Sequence, residues 1–235
     1  MIKKFPANSR HEMNHGWLKT HLSFSFAEYH DPENETFGPL RVLNDDVVAP
    51  LRGFGKHPHQ EMEIVSIVLS GQLQHEDSQG NKATTTFGEI QRMSAGTGIY
   101  HSEVNPSSEE DVNFLQLWFF PKEQGVTPSY EKTAFDIGAM KNHLLPVVAN
   151  HPDNSKVADI NQDLTIYLAD LESDHAITFT QDKDRKTLIF VIEGELLLNG
   201  NTTLNKRDSA RIVDVTSLNI DGVGQSRFML IDLPA

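Results

Sequence analysis

The chain has 235 residues, 38% hydrophobic and 23% charged, a composition that predicts a globular protein with one large domain or two small ones. Its formal net charge of −13 disfavours binding to nucleic acid. The sequence contains no run of about 18 apolar residues, the length that would predict a membrane span. Because cysteine is absent, any metal must be held by histidine and carboxylate groups. We therefore expect no nucleic-acid or membrane partners. The expected location is the cytoplasm, although a chain without cysteine also suits export, and a monomer is favoured over an oligomer.

The first informative stretch in chain order is GFGKHPHQEMEI, residues 53–64, where two histidines follow a glycine-rich turn. On an extended strand, residues two apart point to the same side, so His57 and His59 project together. Pro58 between them points away and stiffens the segment. An isolated pair of this kind belongs more often to a polar surface loop than to a metal site. Its interpretation therefore depends on partners elsewhere in the chain.

Short strands separated by glycine and asparagine turns occupy the rest of the first half. The predicted strands are 63–71, 72–77, 82–93, 99–105 and 112–120, with turns at 78–81 and 94–98. The last strand, VNFLQLWFF, is apolar on both faces, which predicts that other layers cover both its sides. Residues 121–138 are polar and contain proline and glycine, as expected of a connecting segment.

The second half resumes the strand pattern and repeats part of the first. Its predicted strands are 164–171, 187–200, 209–215 and 227–233. The segment SIVLSGQLQHEDSQGN is echoed by IFVIEGELLLNGN, with an apolar strand, a glycine, a second strand and a turn in each. Two copies of one β-barrel module explain both the length and the echo, and no long segment has a helical period. We therefore predict an all-β fold.

A second same-side pair, His101 and Glu103, lies on the strand that follows the turn SAGTG. Two neighbouring strands can thus bring the imidazoles of His57, His59 and His101 and the carboxylate of Glu103 to one point. Such a ligand set suits Fe, Mn, Co, Ni, Cu or Zn better than Ca or Mg, which prefer oxygen ligands. It also leaves coordination positions open for a substrate, as a catalytic metal requires.

These motifs resemble those of a known family. Residues 53–71 resemble the first cupin motif, His-x-His followed by Glu63 and Gly71, and GTGIYHSEVN resembles the second, with Gly98, His101 and Asn105 in place. The usual proline of the second motif is replaced by Gly96. The segments GFGKHPHQEMEI, HEDSQGN, MSAGTGIYHSEVNPS and NHGWLKTHLSFSFAEYHDP together resemble the pirin family of bicupins.

The resemblance implies two tandem cupin barrels of the jelly-roll, or double-stranded β-helix, type. Residues 1–125 would form a metal-binding cupin domain and residues 126–235 a cupin-like domain without a metal site. One metal would be held by His57, His59, His101 and Glu103, with iron expected and Mn, Co, Ni, Cu and Zn as alternatives. In many cupins the first-motif glutamate is a ligand, and Glu63 has the same parity along the chain as His57 and His59, so it is expected on their face and remains the alternative carboxylate.

The resemblance also implies a reaction, because some pirins are similar to quercetin 2,3-dioxygenases, which open a flavonol ring with O2. A carboxylate beside the metal can take the proton of the substrate hydroxyl, so Glu103 is the expected catalytic base. Phe54, Gln116 and Trp118 are the expected substrate contacts, although core packing is the more frequent role for each of them taken individually. The expected partners are therefore a small aromatic substrate and O2.

Two other function classes remain open at this point. Eukaryotic pirins resemble transcriptional co-regulators, which suggests a redox-responsive, metal-dependent binding protein that acts through protein partners. A cupin-type sugar-phosphate isomerase would require several basic residues beside the metal, and only Lys56 and Arg92 lie near the motifs. Consumption of O2 with an aromatic substrate would distinguish the enzyme from the binding protein.

Overall fold

A computed structural model describes residues 1–235, which form 22 β-strands and two short 3-10 helices. The strands are β1 (Ile2–Phe5), β2 (His11–Asn14), β3 (Leu18–Leu22), β4 (Leu40–Val48), β5 (Gly53–His59), β6 (Glu63–Ser70), β7 (Leu73–Asp77), β8 (Lys82–Thr85), β9 (Glu89–Ser94), β10 (Ile99–Val104), β11 (Val112–Phe119), β12 (Ser129–Ala134), β13 (Leu145–Ala149), β14 (Ala158–Asp159), β15 (Thr165–Leu171), β16 (Ala176–Thr180), β17 (Arg185–Glu193), β18 (Glu195–Leu198), β19 (Thr202–Asn205), β20 (Ser209–Val213), β21 (Ser217–Gly222) and β22 (Ser226–Pro234). The helices span Ala7–Ser9 and Ile137–Met140. No helix has the length and apolar character needed to span a membrane.

The chain groups into two compact units, and the N-terminal unit comprises residues 11–135 and 150–162. One of its sheets has the strand order β12-β9-β6-β11-β4-β3-β2, and the other has the order β5-β10-β7-β8. Side chains of the two sheets face each other, since Glu103 of β10 accepts hydrogen bonds from Ser66 of β6 and Gln116 of β11. The predicted all-β class is confirmed.

Strand β11 lies between β6 and β4 in the larger sheet of the N-terminal unit. Its residues Phe114, Leu115 and Leu117 have no exposed surface, which confirms that both faces of this apolar strand are covered. Residues 121–138, expected to be a connection, contain the additional strand β12, which pairs with β9. Its pattern SYEKTA is mostly polar because only Thr133 is buried, so hydrophobic periodicity gave little signal.

The C-terminal unit comprises residues 1–10, 136–149 and 163–235. It contains strands in the order β1-β20-β17-β22-β15-β13 and a second sheet in the order β16-β21-β18-β19. Residues 2–5 pair with residues 209–212, so the first strand of the chain joins this unit. Ile189 and Val191 belong to its fully buried apolar core. The domain boundary at residue 125 and the lack of a metal site in this half stay predictions.

Candidate metal centre

The three histidines expected to bind metal converge in the N-terminal unit. His57 and His59 lie on β5, and antiparallel pairing with β10 places His101 directly opposite His57. The Nε2 atoms of His57 and His101 are 3.0 Å apart, and the ring of His59 is centred 4.8 Å from both other rings. One nitrogen from each imidazole lies within 4.8 Å of the other two. The same-side interpretation of this sequence pair therefore agrees with the geometry.

The Nδ1 atoms of two of these rings face other groups, which fixes the position of their protons. His57 Nδ1 lies 2.7 Å from the carbonyl oxygen of Gly55, and because a carbonyl only accepts, this nitrogen carries the proton. The Nε2 atom of neutral His57 is consequently a bare lone pair, the form that binds a metal.

His101 acquires the same tautomer through a chain of two further side chains. His75 Nε2 lies 3.0 Å from Asp77 Oδ2, and His75 Nδ1 lies 3.3 Å from His101 Nδ1. Burial raises the pKa of Asp77, but hydrogen bonds from His75 and Asn81 outweigh burial and bring it below its usual value. The ionised carboxylate accepts from His75 Nε2, so in a neutral His75 ring Nδ1 accepts from His101 Nδ1. The Nε2 atom of His101 is then also a bare lone pair.

A metal ion fits this arrangement. Two nitrogen lone pairs 3.0 Å apart repel each other unless a cation or a proton lies between them. Two nitrogens bound at about 2.1 Å to one ion, at right angles, would be about 3.0 Å apart. The third ring supports the same conclusion, because His59 Nε2 is buried and has no hydrogen-bond partner. Together these three nitrogens fit a single divalent cation.

The electrostatic setting keeps two of the imidazoles neutral. Burial, followed by the neighbouring histidines, lowers the pKa of His59 to about 4. Burial and the neighbouring His57 and His75 lower the pKa of His101 to about 3. Since only neutral imidazole binds a metal, both rings stay in the binding form well below neutral pH.

Glu103, the expected fourth ligand, is buried at the centre of a hydrogen-bond network. Its Oε1 atom accepts from Gln91 Nε2 at 2.6 Å and from Ser66 Oγ at 3.0 Å, and its Oε2 atom accepts from Gln116 Nε2 at 2.6 Å. A carboxylate oxygen of Glu103 lies within 4.8 Å of a ring nitrogen of His101 and of a ring nitrogen of His75. The second set of neighbouring ligand atoms, from His57, His59 and His101, does not include Glu103. Its role as a ligand stays a prediction.

The donors to Glu103 form a row across the larger sheet. Gln91 of β9 pairs in register with Ser66 of β6, and Ser66 pairs with Gln116 of β11. The next residue in the row is Asn44 of β4. All four side chains are buried, so a polar band crosses the barrel interior. Polar residues inside a barrel require partners, and Glu103 supplies them for three of the four.

A cavity of about 230 Å³ adjoins the three histidines and Glu103. Phe54 and Trp118, both expected to contact substrate, contribute to its walls, and the Trp118 ring packs edge-on against His59 at 4.7 Å. Gln116 also lines the cavity, but its amide is bonded at both ends, to Glu103 and to Ser66. These substrate-binding roles stay predictions. Further lining residues are Leu18, Thr20, Phe26, Asn44 and Asp46.

Glu63, the alternative carboxylate ligand, does not reach this cavity. It is fully buried, and its oxygens accept hydrogen bonds from Ser94 Oγ and from the backbone N–H of Asn161. Two sets of neighbouring ligand atoms include His101, and Glu63 belongs to neither of them. Strand β5 ends at His59 and β6 begins at Glu63, so the expectation that they share one face did not account for the intervening turn.

Several residues around the centre were not identified from the sequence. Asn44 and Asp46 lie on β4, and Ser66 and Gln91 lie on β6 and β9. The segment LNDDVV, residues 43–48, carried a usable signal, because three consecutive polar residues interrupt an apolar strand. Such an interruption indicates either an exposed face or a functional interior.

The comparisons with known proteins agree with this geometry. The family model described as Pirin matches residues 6–119, and the model described as Quercetinase C-terminal cupin domain matches residues 147–233. The chain is 42% identical to an Escherichia coli (strain K12) protein named quercetin 2,3-dioxygenase, over 100% of this chain and 99% of the relative. It is 36% identical to a pirin-like protein of Caulobacter vibrioides, over 99% of both chains.

A solved structure of a relative extends the agreement to the fold. The bacterial pirin YhhW of Escherichia coli, in complex with nickel(II), superposes with a TM-score of 0.94 at 39% identity, covering 100% of this chain and 99% of that one. The chain therefore belongs to the pirin family, and the predicted two-cupin fold is confirmed. The His/Glu cluster, together with the nickel(II) complex of this relative, supports a divalent metal in the centre.

Proposed function

From this membership and the geometry of the centre, we propose that the protein is a metal-dependent dioxygenase that opens a flavonol-type aromatic ring with O2. The observation that carries the proposal is the convergence of three imidazole groups at the wall of a cavity with apolar sides. A preformed pocket with aromatic walls and a few polar groups suits a flat aromatic ligand. Relatives named quercetin 2,3-dioxygenase support the same reaction class.

In this proposal His57, His59, His101 and Glu103 hold one divalent metal, and iron is the metal we propose. A redox-active transition metal would supply Lewis acidity and electron exchange with O2, which no side chain of this protein supplies. The nickel(II) complex of the Escherichia coli relative shows that a divalent transition metal binds that protein. It leaves the choice between iron and nickel in this chain to be measured.

The protein's own groups would position the substrate and protect it from water. Phe26 and Trp118 contact each other edge-on at 5.3 Å, and Phe54 packs in the same way against Trp17 at 5.5 Å. These rings are fixed by their neighbours and can hold a planar substrate in one orientation. Gln116 would keep the Glu103 carboxylate in place through its 2.6 Å hydrogen bond.

Glu103 was expected to be the catalytic base, and that role stays a prediction. Three donors already share its two oxygens and hold the carboxylate in place. Its position fits a ligand or an orienting carboxylate better than a proton acceptor. The cytoplasmic location and the monomeric state also stay predictions.

The decisive experiment measures O2 uptake and carbon monoxide release with quercetin, using metal-free protein loaded separately with Fe, Mn, Co, Ni, Cu or Zn. We expect one redox-active metal to support both, and Zn, which cannot exchange electrons, to support neither. The matched control is His101→Ala, which should lose both metal and activity, beside His175→Ala, which changes an exposed histidine. If no metal supports O2 uptake, the dioxygenase proposal fails and the redox-responsive binding protein becomes the better explanation.

A further inference from the structure

Two hydrogen-bond acceptors in the metal-site cavity have no partner within the protein. The side chains of Asn44 and Asp46 are each 3% exposed, and the Oδ1 atom of each lacks a hydrogen-bond donor. Both residues line the cavity that also adjoins the three histidines. A buried acceptor without a donor costs about 1–3 kcal/mol, so a persistent pair of them indicates a ligand that donates hydrogen bonds.

The position of these acceptors follows from strand register. Asn44 is the fourth member of the polar row and pairs with Gln116, whose amide bonds to Glu103 and Ser66. Asp46 is two residues further along β4 and therefore points to the same side. Thr20 of β3 and Phe114 of β11 flank Asp46 in register, and neither carries a charge that could pair with its carboxylate.

The charge environment makes Asp46 a proton acceptor near neutral pH. Burial raises the pKa of Asp46 to about 7; a side-chain hydrogen bond with Thr20 acts in the opposite direction, and the negative charges of Asp45 and Glu103 add to the rise. The other titratable groups that line the cavity are the three histidines. A carboxyl group balanced in this way can both take and return a proton at physiological pH.

We infer that Asn44 and Asp46 form a hydroxyl-binding subsite, in which Asp46 accepts the proton of the substrate's hydroxyl group. In this step the substrate O–H bond breaks, its electron pair stays on the substrate oxygen, and a new O–H bond forms at Asp46 Oδ1. The proton returns to the product when it leaves. The ligand class is a planar aromatic with at least one acidic hydroxyl. The inference rests on the proposed function for its substrate class, and it moves the base role from Glu103 to Asp46.

Proton counting by calorimetry tests the subsite without any turnover. Zn-loaded protein is titrated with 3-hydroxyflavone, a flavonol with a single hydroxyl, in buffers of different ionisation enthalpy. Near pH 8, ionised Asp46 should take up the proton, so wild type should release almost none, whereas Asp46→Asn should release about one per site. At a pH below the pKa of Asp46 in the Zn-loaded protein, where its carboxyl group already holds a proton, both proteins should release about one. Equal proton release by wild type and Asp46→Asn near pH 8 would overturn the inference.

The matched control is Asp45→Asn, the same chemical change one residue away on the opposite face of β4. Asp45 accepts a hydrogen bond from Asn113 Nδ2 at 2.9 Å and does not line the cavity. We expect this variant to release protons as wild type does. Zinc content is measured in every variant, so that a loss of metal cannot be mistaken for a loss of the proton acceptor. Release by Asp45→Asn that matches Asp46→Asn would also contradict the inference.

Turnover provides the second measurement and separates this inference from the proposed function. In the protein loaded with its active metal, Asp46→Asn should lower kcat about 10²–10⁴-fold and remove the rise of kcat/KM with pH that the ionisation of Asp46 produces, with KM changed by less than about threefold. Unchanged kcat and pH profile would overturn the role of Asp46. Absence of turnover in wild type with every metal would refute the dioxygenase proposal, and the calorimetry would still decide the subsite.

Discussion

The Nδ1 atoms of His75 and His101 lie 3.3 Å apart, and this contact links a buried carboxylate to the metal centre. In this hydrogen bond one Nδ1 atom carries the proton and donates, and the other Nδ1 atom accepts. Asp77 settles the question, because it accepts from His75 Nε2 at 3.0 Å. His75 is fully buried and stacks on Tyr130 at 4.3 Å, so its ring has little freedom to turn. The chain of three side chains thus leaves His101 Nε2 free to bind metal.

Replacing Asp77 with asparagine should reverse the direction of the hydrogen bond between His75 and His101. The backbone N–H groups of Gln79 and Asn81 donate to Asp77 Oδ1, so the amide oxygen of the variant should take that position and its NH2 group should face His75. His75 would then protonate at Nδ1 and donate to His101, whose own proton would move to Nε2 and block the metal. We expect metal affinity to fall about 10–100-fold, the range found for groups that orient metal ligands.

Competition with a chromophoric chelator would measure this affinity, and long-range 1H–15N NMR of the metal-free protein would report both histidine tautomers directly. The control is Asp184→Asn, which makes the same change at an exposed position of the C-terminal unit. Retention by Asp77→Asn of both wild-type affinity and the wild-type His101 tautomer would show that the chain does not set the proton position.

The buried histidines should make the metal-free protein sensitive to acid. The pKa of His101 is lowered to about 3 in the folded chain, mainly by burial, so the unfolded chain binds a proton that the folded chain does not. This contribution to stability is complete above the unfolded value of about 6.5 and is lost as pH falls, at roughly 1.4 kcal/mol per pH unit between about 6 and 4.

The comparison that isolates this effect is between wild type and His101→Asn, unfolded in urea at several pH values after metal removal. Asp46 titrates in the same range, but it is present in both proteins and its effect cancels to first order. We expect wild type to lose stability relative to His101→Asn on acidification, while His175→Asn, at an exposed site, tracks wild type. Parallel stability curves for wild type and His101→Asn would contradict the lowered pKa.

Local patterns in the sequence were sufficient to predict the fold class and the convergence of the three histidines. His57 and His59 lie on one continuous strand, where alternation of side chains holds. The same rule failed for Glu63, because residues 60–62 leave the strand and Glu61 adopts a positive φ of 48°. Alternation predicts the side to which a residue points only within one continuous strand, and this relation does not hold across a turn.

The polar row and the hydroxyl-binding subsite could not be predicted in this way. Gln91, Ser66, Gln116 and Asn44 are brought together by the register of four strands that are distant in sequence. Apart from the polar interruption in LNDDVV, each residue alone is an ordinary polar position in a strand. The contact between His75 and His101 depends similarly on the pairing of β7 with β10. Strand order and register, which single-sequence patterns do not specify, decide these contacts.

Gly53 should be indispensable for the position of Glu103. A Cβ atom at residue 53 would overlap the carbonyl oxygen of Glu103 and the Cα atom of Val104, at the point where the register of β5 and β10 shifts. Gly55, two residues away on the same strand, has no atom near the equivalent position. We expect Gly53→Ala to lower the free energy of unfolding by about 1–3 kcal/mol and to weaken metal binding, because the backbone must move.

Gly55→Ala is the matched control and should change stability by less than about 0.5 kcal/mol, as at an open surface position. Urea denaturation of the metal-free proteins and chelator competition provide the two measurements. Equal effects of the two substitutions would show that the close approach at Gly53 tolerates a side chain and does not fix Glu103.

Gln116 separates two interpretations of the cavity, since the sequence suggested a substrate contact and the structure ties its amide to Glu103 and Ser66. If its main role is to orient Glu103, Gln116→Leu should weaken metal binding about 10–100-fold, because the carboxylate loses one of its three donors. Binding of 3-hydroxyflavone to the variant saturated with Zn should then change by less than about threefold, because an apolar wall of similar size remains.

Trp118→Leu is the informative counterpart, since it removes an aromatic wall and no donor to Glu103, and it should weaken flavonol binding more than metal binding. Chelator competition and fluorescence titration with the flavonol yield both affinities for each protein. A variant Gln116→Leu with wild-type metal affinity and weakened flavonol binding would return Gln116 to the role of a direct substrate contact.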